Sequence, residues 1–340
     1  MLNLRKGVNL GGFLSQCSEY TIEHYKTFIQ EEDIKNIKDM NFDHVRLPID
    51  YEVIETEDGI EIKDNYRYVD NAIEWCREYG LKVVLDLHKT WGYFFDNAGK
   101  REEMNTLFDS EEAVDRFLTI WDRLSKRYGR FSDFVGFELL NEVVNPEYAE
   151  AWNRLIRRAV EVIRKNAPNS TIVYGGVEWN SAWTLRLLEE PFDDNVIYTF
   201  HYYEPLLFTH QKAPWVPTIS QTMSVEYTDD MAWFKKEAAK IGMQGLGVVN
   251  CKAQKMGVEF HEEMIKTALE VAKERKIKLY CGEFGVIDRA EPKEAIKWYK
   301  DILSLFEKYD IAYSIWSYKE MDFGIMGEKY GELRKYLTEK

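Results

Sequence analysis

Short apolar runs alternate along the chain with longer stretches in which apolar residues recur every third or fourth position. The runs read as buried strands, and the 3.6-residue spacing reads as amphipathic helix. The first strand is predicted over residues 4–10 and runs into Gly11-Gly12, which permits a tight turn and close backbone approach. A helix over 31–40 has acidic residues in its first turn, where the dipole favours them. Strand two spans 42–51. A helix over 66–79 carries Val69, Ile73 and Cys76 on one face, and strand three follows over 82–88. Further helices are predicted over 111–128, 147–166, 258–276, 292–309 and 329–337. Pro292 suits the first position of its helix. Strand four begins at Phe134, and strands five to eight fall at 171–176, 196–201, 278–283 and 311–318.

Between 206 and 256 the periodicity fails, although Phe208, Trp215, Tyr227 and Trp233 lie there with Pro214 and Pro217. A bare loop of that length is unusual in a compact domain. The stretch is expected to be a small subdomain inserted after strand six. Eight strands alternating with helical segments, with no linker or low-complexity tract, predict one α/β domain over 1–340: a (β/α)8 barrel. The competing architecture, a doubly wound sheet, lacks any GxGxxG or phosphate-binding loop to support it.

Composition narrows the class. A chain of 340 residues suits one such barrel with insertions, and 45% hydrophobic with 31% charged residues describes a soluble globular protein. The net charge of −14 argues against nucleic acid as a partner and disfavours an anionic polysaccharide; a neutral one is compatible. Aromatic residues make up 14%, with ten Trp and twenty-one Tyr, and such rings can stack on pyranose faces. Cys17, Cys76, Cys251 and Cys281 are scattered, with no CxxC, so reduced thiols are expected. The six histidines contain no HxH pair, and no metal or cofactor is expected. No apolar run is long enough to span a bilayer, so no membrane partner is expected, and a monomer is expected. The N-terminus has no signal-peptide apolar region, which leaves an intracellular protein or one whose leader has been removed.

Candidate chemistry gathers at strand ends. Phe134-Val-Gly-Phe-Glu-Leu-Leu-Asn141-Glu142-Val-Val-Asn-Pro146 starts apolar and ends in an amide beside a carboxylate. Apolar neighbours raise a carboxyl pKa, which suits Glu142 to proton donation; the alternative is a helix cap. Arg46 lies among apolar residues in strand two and predicts a buried carboxylate partner. Arg46, His88, Asn141, Glu142, His201, Tyr203, Glu283 and Trp316 all fall at or just past strand ends, which in a barrel converge on one mouth. Two carboxylates there fit glycoside hydrolysis, with Glu142 as acid and Glu283, beside Arg46 and Tyr203, held ionised as nucleophile. The alternative for Glu283 is an ion pair with Arg46 that only stabilises the barrel.

With these residues the chain resembles glycoside hydrolase family 5, the cellulase family, and within it the single-domain bacterial endoglucanase C type. The marks are Gly7-Val-Asn-Leu-Gly-Gly12, His44-Val-Arg-Leu-Pro48, Leu85-Asp-Leu-His88, Glu138-Leu-Leu-Asn-Glu142, His201-Tyr-Tyr203, Gly282-Glu-Phe-Gly285 and Trp316-Ser-Tyr318. The resemblance covers essentially the whole chain. It implies a retaining endo-β-1,4-glucanase acting on cellulose-type or mixed-linkage β-glucan, with Glu142 as acid/base and Glu283 as nucleophile. It also implies that Arg46 and Tyr203 bond the nucleophile and Asn141 the sugar 2-hydroxyl. His88 and His201 would line the −1 subsite, and Trp316 would be its aromatic floor. In one departure, Lys89 follows His88 where many relatives carry a second His, so Lys89 is either a subsite contact or a solvated loop charge. The rival readings are a β-mannanase or glucomannanase, a β-1,3-glucanase, a metal-dependent barrel hydrolase, and a non-catalytic carbohydrate-binding barrel.

Overall fold

The strands close into a barrel because each is buried on both faces and pairs in parallel with the next. In the computed structural model, which describes residues 1–95 and 105–339, the order is β1-β2-β3-β4-β5-β6-β7-β8, and β8 pairs back to β1. The strands are β1 (Lys6–Asn9), β2 (His44–Asp50), β3 (Lys82–Lys89), β4 (Val135–Glu138), β5 (Ile172–Gly175), β6 (Val196–Tyr202), β7 (Lys278–Phe284) and β8 (Ala312–Ile315). The predicted (β/α)8 architecture is therefore the observed one.

Helices cover the outside with their apolar faces inward. Glu111–Tyr128 starts where the Ser110 side chain accepts from the Ala113 N–H, and it buries Val114, Phe117, Trp121 and Leu124 against the sheet. Ala149–Asn166 and Pro292–Lys308 repeat the pattern. The helix expected over 258–276 is two helices, Val258–Met264 and Lys266–Arg275, because Ile265 leaves helical geometry at φ −94°, ψ 1°. Neither Pro nor Gly marks that break, so periodicity runs through it. Between β5 and β6 lies the 3₁₀ segment Ala182–Leu187 in place of a longer helix.

The stretch 206–256 contains the short helices Leu206–Thr209, Met231–Ala238 and Leu246–Asn250. Its buried side chains, including Phe208, Tyr227, Phe234 and Val248, belong to the same hydrophobic cluster as the barrel walls. It packs as an extension of that core. Buried His261 ties it down, bonding Tyr227 Oη (2.7 Å) from the insert and Tyr202 Oη (2.6 Å) from β6. Among the described residues no helix is long and apolar enough to cross a membrane.

Candidate active site

Inward-facing residues alternate along each strand, so the barrel interior is built in layers. At the floor Leu2, Leu4, Val84, Val173, Ile197 and Tyr280 form an apolar cluster separate from the main core. Above them Ser314 Oγ lies 2.6 Å from Tyr280 Oη and 3.0 Å from His44 Nε2. The next layer toward the strand C-termini is charged, and Arg46 is its centre.

The Arg46 guanidinium is wholly buried and fully bonded. Nε donates to Glu138 Oε2 (2.8 Å), Nη1 to Glu283 Oε1 (2.6 Å) and Asn9 Oδ1 (3.0 Å), and Nη2 to Glu138 Oε1 (3.0 Å) and Asn141 Oδ1 (2.9 Å). Nη2 also lies 3.0 Å from Asp86 Oδ2. The expected buried carboxylate partner is thus three carboxylates. One cation cannot balance three anions in a low-dielectric interior, so protons should be retained. Burial pushes Asp86 up to about 7 against the pull of Arg46, and it raises Glu138 as well. Burial opposes the charge of Arg46 too, but Asp86, Glu138 and Glu283 outweigh it and hold the guanidinium protonated.

Glu283, at the end of β7, is gripped from two sides. Arg46 holds Oε1, and Tyr203 Oη donates to Oε2 (3.0 Å). Glu142 follows β4 and faces inward, with His201 Nδ1 at 2.7 Å from its Oε1. The N-caps of the next turn and helix are Asn145 and Tyr148, so capping is not what places Glu142. His201 Nδ1 is also 3.6 Å from Glu283 Oε2. One ligand atom from each of Glu142, His201 and Glu283 lies within 4.8 Å of the other two. Burial lowers His201 to about 4 despite the nearby Glu283 carboxylate, so the imidazole between the two acids is neutral near pH 7.

Asn141 is oriented by its neighbours. Its Oδ1 accepts from Arg46, and its backbone oxygen accepts from Asn180 Nδ2. The buried Asn141 Nδ2 has no protein partner among the described residues, an arrangement costly unless a ligand fills it. Across the mouth, His88 stacks on Trp316 with centroids 5.6 Å apart and planes 9° from parallel. His88 Nδ1 donates to Asp86 Oδ2 (2.7 Å), and burial lowers this ring to about 4. Gly11 lies beneath Trp316, where a Cβ would sit 2.9 Å from the indole. All eight residues singled out from the sequence are therefore gathered in one network, joined through Asp86.

Sequence reasoning missed Asp86, Glu138, Asn9 and Asn180. A carboxylate inside an apolar strand, as in Leu85-Asp86-Leu87 and Phe137-Glu138-Leu139, was the available signal. Asn180 gave none. It reaches Asn141 because Glu178, Trp179 and Asn180 form a left-handed turn (φ 50°, 55°, 54°) and because Gly175 leaves room, a Cβ there lying 2.4 Å from Asn180 Oδ1. Lys89 is not the solvated loop charge considered above. It pairs with Glu52, and its Nζ lies 5.1 Å from the centre of the Phe94 ring and 5.5 Å from that of Tyr51.

The protein-family model described as Cellulase (glycosyl hydrolase family 5) matches residues 5–322. The chain is 39% identical to Endoglucanase C of Acetivibrio thermocellus over 100% of its own length and 97% of that protein's. It is 40% identical to Cellodextrinase A of Ruminococcus flavefaciens, covering 90% of this chain and 83% of the relative. Among solved structures, Thermotoga maritima Cel5A in complex with cellobiose superposes with a TM-score of 0.76 at 27% identity, covering 99% and 96% of the two chains. The same enzyme in complex with mannotriose gives 0.74 at 28%, with the same coverage.

Proposed function

The chain belongs to glycosyl hydrolase family 5, and from that premise we propose that it is a retaining, endo-acting β-1,4-glucanase whose acid/base is Glu142 and whose nucleophile is Glu283. The observation that carries the reading is the spacing of the two acids. One oxygen of each lies within 4.8 Å of one of the other, which fits the about 5–5.5 Å between carboxyl groups in a retaining enzyme better than the about 6.5–9.5 Å of an inverting one.

In the first step Glu142 gives its proton to the glycosidic oxygen while Glu283 attacks the anomeric carbon. The bond to the leaving sugar breaks, and a glycosyl ester forms on Glu283. In the second step Glu142 takes a proton from water, which displaces Glu283 from the same carbon. Two inversions give retention. Arg46 and Tyr203 hold the Glu283 carboxyl group and aim it at the anomeric carbon. The neutral His201, whose Nδ1 lies 2.7 Å from Glu142 and 3.6 Å from Glu283, holds Glu142 in place beside the nucleophile. Asn141 Nδ2 donates to the 2-hydroxyl of the sugar under attack. Trp316 supports that ring from below, and His88 lines its edge.

The names of the relatives, an endoglucanase and a cellodextrinase, support β-1,4-glucans as substrates. Mixed-linkage β-1,3-1,4-glucan is included, because the residues that carry the chemistry do not read the next linkage. A second reading, β-1,4-mannan or glucomannan, is favoured by the mannotriose complex of the T. maritima enzyme. Glu142, His201 and Glu283 are also close enough to ligate a metal, but Arg46 already places a cation 2.6 Å from Glu283, which disfavours a second one. The test is reducing-sugar release from carboxymethylcellulose, mixed-linkage glucan and glucomannan, with and without chelator, with proton NMR of the first-formed product. Chelator-insensitive release with initial β-anomer is expected. Initial α-anomer or loss of activity on chelation contradicts the reading.

A further inference from the structure

The loop after β1 carries polar residues that the chemistry above does not use. We propose that Gln16 is a substrate-binding residue, held by Asp50 so that its carboxamide meets the glucose unit adjoining the one under attack on the non-reducing side. This rests on the glucanase reading and adds a determinant of which sugar lies there.

Asp50 ends β2 and is completely buried. Its carboxylate takes three donors from one loop: Ser15 Oγ (2.8 Å) and the Gln16 N–H (2.9 Å), together with the Tyr20 hydroxyl. A carboxylate so placed fastens the loop to the barrel rim. Gln16 needs fastening, since its φ of 52° is in the left-handed region that side-chain-bearing residues avoid. In that conformation Gln16 Nε2 comes within 3.0 Å of His88 Nε2.

The direction of this bond follows from the other ring nitrogen. His88 Nδ1–H is committed to Asp86, so Nε2 carries the lone pair and Gln16 Nε2–H donates to it. The amide orientation is thereby fixed. Gln16 Oε1 has no protein partner among the described residues and is presented as an acceptor for a hydroxyl. A half-buried amide beside a stacked imidazole and indole suits a neutral, hydroxyl-rich ligand.

Its place in the barrel sets which sugar it meets. Glu142, which must stand by the leaving oxygen, follows β4, while β8 with Trp316 lies across the barrel and β1 adjoins β8. A glucan passing over Trp316 from the Glu142 side therefore reaches the β1 loop on its non-reducing side. Gln16 meets the unit beyond the one attacked.

The test compares wild type, Gln16→Ala and Asp50→Asn on 2,4-dinitrophenyl β-cellobioside and 2,4-dinitrophenyl β-glucoside, which differ by that one unit. Gln16→Ala is expected to lower kcat/KM about tenfold on the cellobioside and to leave the glucoside within about twofold, the size of one lost hydrogen bond. Asp50→Asn should move the ratio in the same direction. Equal losses on both substrates, which would mean that Gln16 only orients His88, overturn the proposal, as does no loss on either. A second readout needs no turnover. In Glu283→Gln enzyme the Gln16 side-chain amide resonance, assigned by its absence in Gln16→Ala, should shift on addition of cellobiose and not of glucose. An unmoved resonance overturns the proposal. If wild type cleaves neither glycoside, the glucanase reading fails, while the amide titration still decides whether Gln16 contacts a disaccharide.

Discussion

The floor and the mouth of this barrel are made by the same strands and obey opposite rules. On β3 the floor residue Val84 and the mouth residue Asp86 are two positions apart on one inward face. The floor is an apolar cluster whose burial favours folding, each buried methylene contributing about 0.8 kcal/mol. The mouth gathers one guanidinium and three carboxylates out of water, an arrangement that stabilises little and is costly to disturb. The floor thus adds stability through apolar burial, and the mouth, where the proposed chemistry lies, tolerates charge only because the partners are complete.

This contrast can be broken at four points. The largest effect is expected at the two acids. Glu283→Ala should lower turnover on the order of 10⁴-fold or more on every substrate, because the covalent path is gone. Glu142→Ala should lose roughly 10²–10⁴-fold on poor leaving groups and far less on dinitrophenyl glycosides, with partial rescue by azide. Arg46 keeps Asp86 and Glu138 when either acid is removed, so both changes should lower the melting temperature less than loss of Arg46 does. Kinetics across aryl leaving groups with parallel thermal melts check both halves; reversed leaving-group behaviour would exchange the roles of Glu142 and Glu283.

Arg46→Ala is expected to cross from one region to the other. It leaves three carboxylates unpaired and should destabilise the fold by about 3–5 kcal/mol as well as abolish most activity, as urea melts with assays on the folded fraction would show. A floor change should do the reverse. Ile197→Val should lower stability by about 0.5–1.5 kcal/mol and leave kcat and KM unaltered; a shift in either constant would mean that floor packing sets the geometry of the mouth.

The smallest effect is in pH. His88 and His201 are lowered by burial from 6.5 to about 4, so the unfolded chain takes up protons that the folded one refuses. Their contribution is complete above about 6.5 and is lost as the pH falls toward 4. Asp86 acts with the opposite sign: raised from 3.8 to about 7, it favours the fold at low pH, and this is lost as the pH rises through 7. Melting temperatures from pH 4 to 8 for wild type and His201→Gln should show a shallower acid limb in the variant; identical limbs would mean that His201 is charged in the folded state.

How much of this could be read in advance follows from the same physics. Strands covered on both faces appear as apolar runs, so all eight were visible, and polar residues closing those runs marked the mouth. Arg46 announced a partner by its surroundings, but one sequence could not say that Asp86, Glu138 and Glu283 all converge on it, since convergence depends on barrel register. The turn at 178–180 and the break at Ile265 were hidden because no Gly or Pro stands at either. The stretch 206–256 resisted reading for a related reason: its short helices are held by side chains such as Phe234 and Val248 packed into the core rather than by a periodicity of their own.

The central claim is that the carboxylate gripped by Arg46 and Tyr203 becomes covalently glycosylated. The direct measurement is mass spectrometry of peptides after incubation with 2,4-dinitrophenyl 2-deoxy-2-fluoro-β-cellobioside, whose fluorine slows release of the sugar ester. A single fluorocellobiosyl adduct on Glu283 is predicted, absent in Glu283→Ala and formed slowly in Arg46→Ala. An adduct on Glu142, or burst-free turnover of this reagent with no adduct on any residue, would contradict the account.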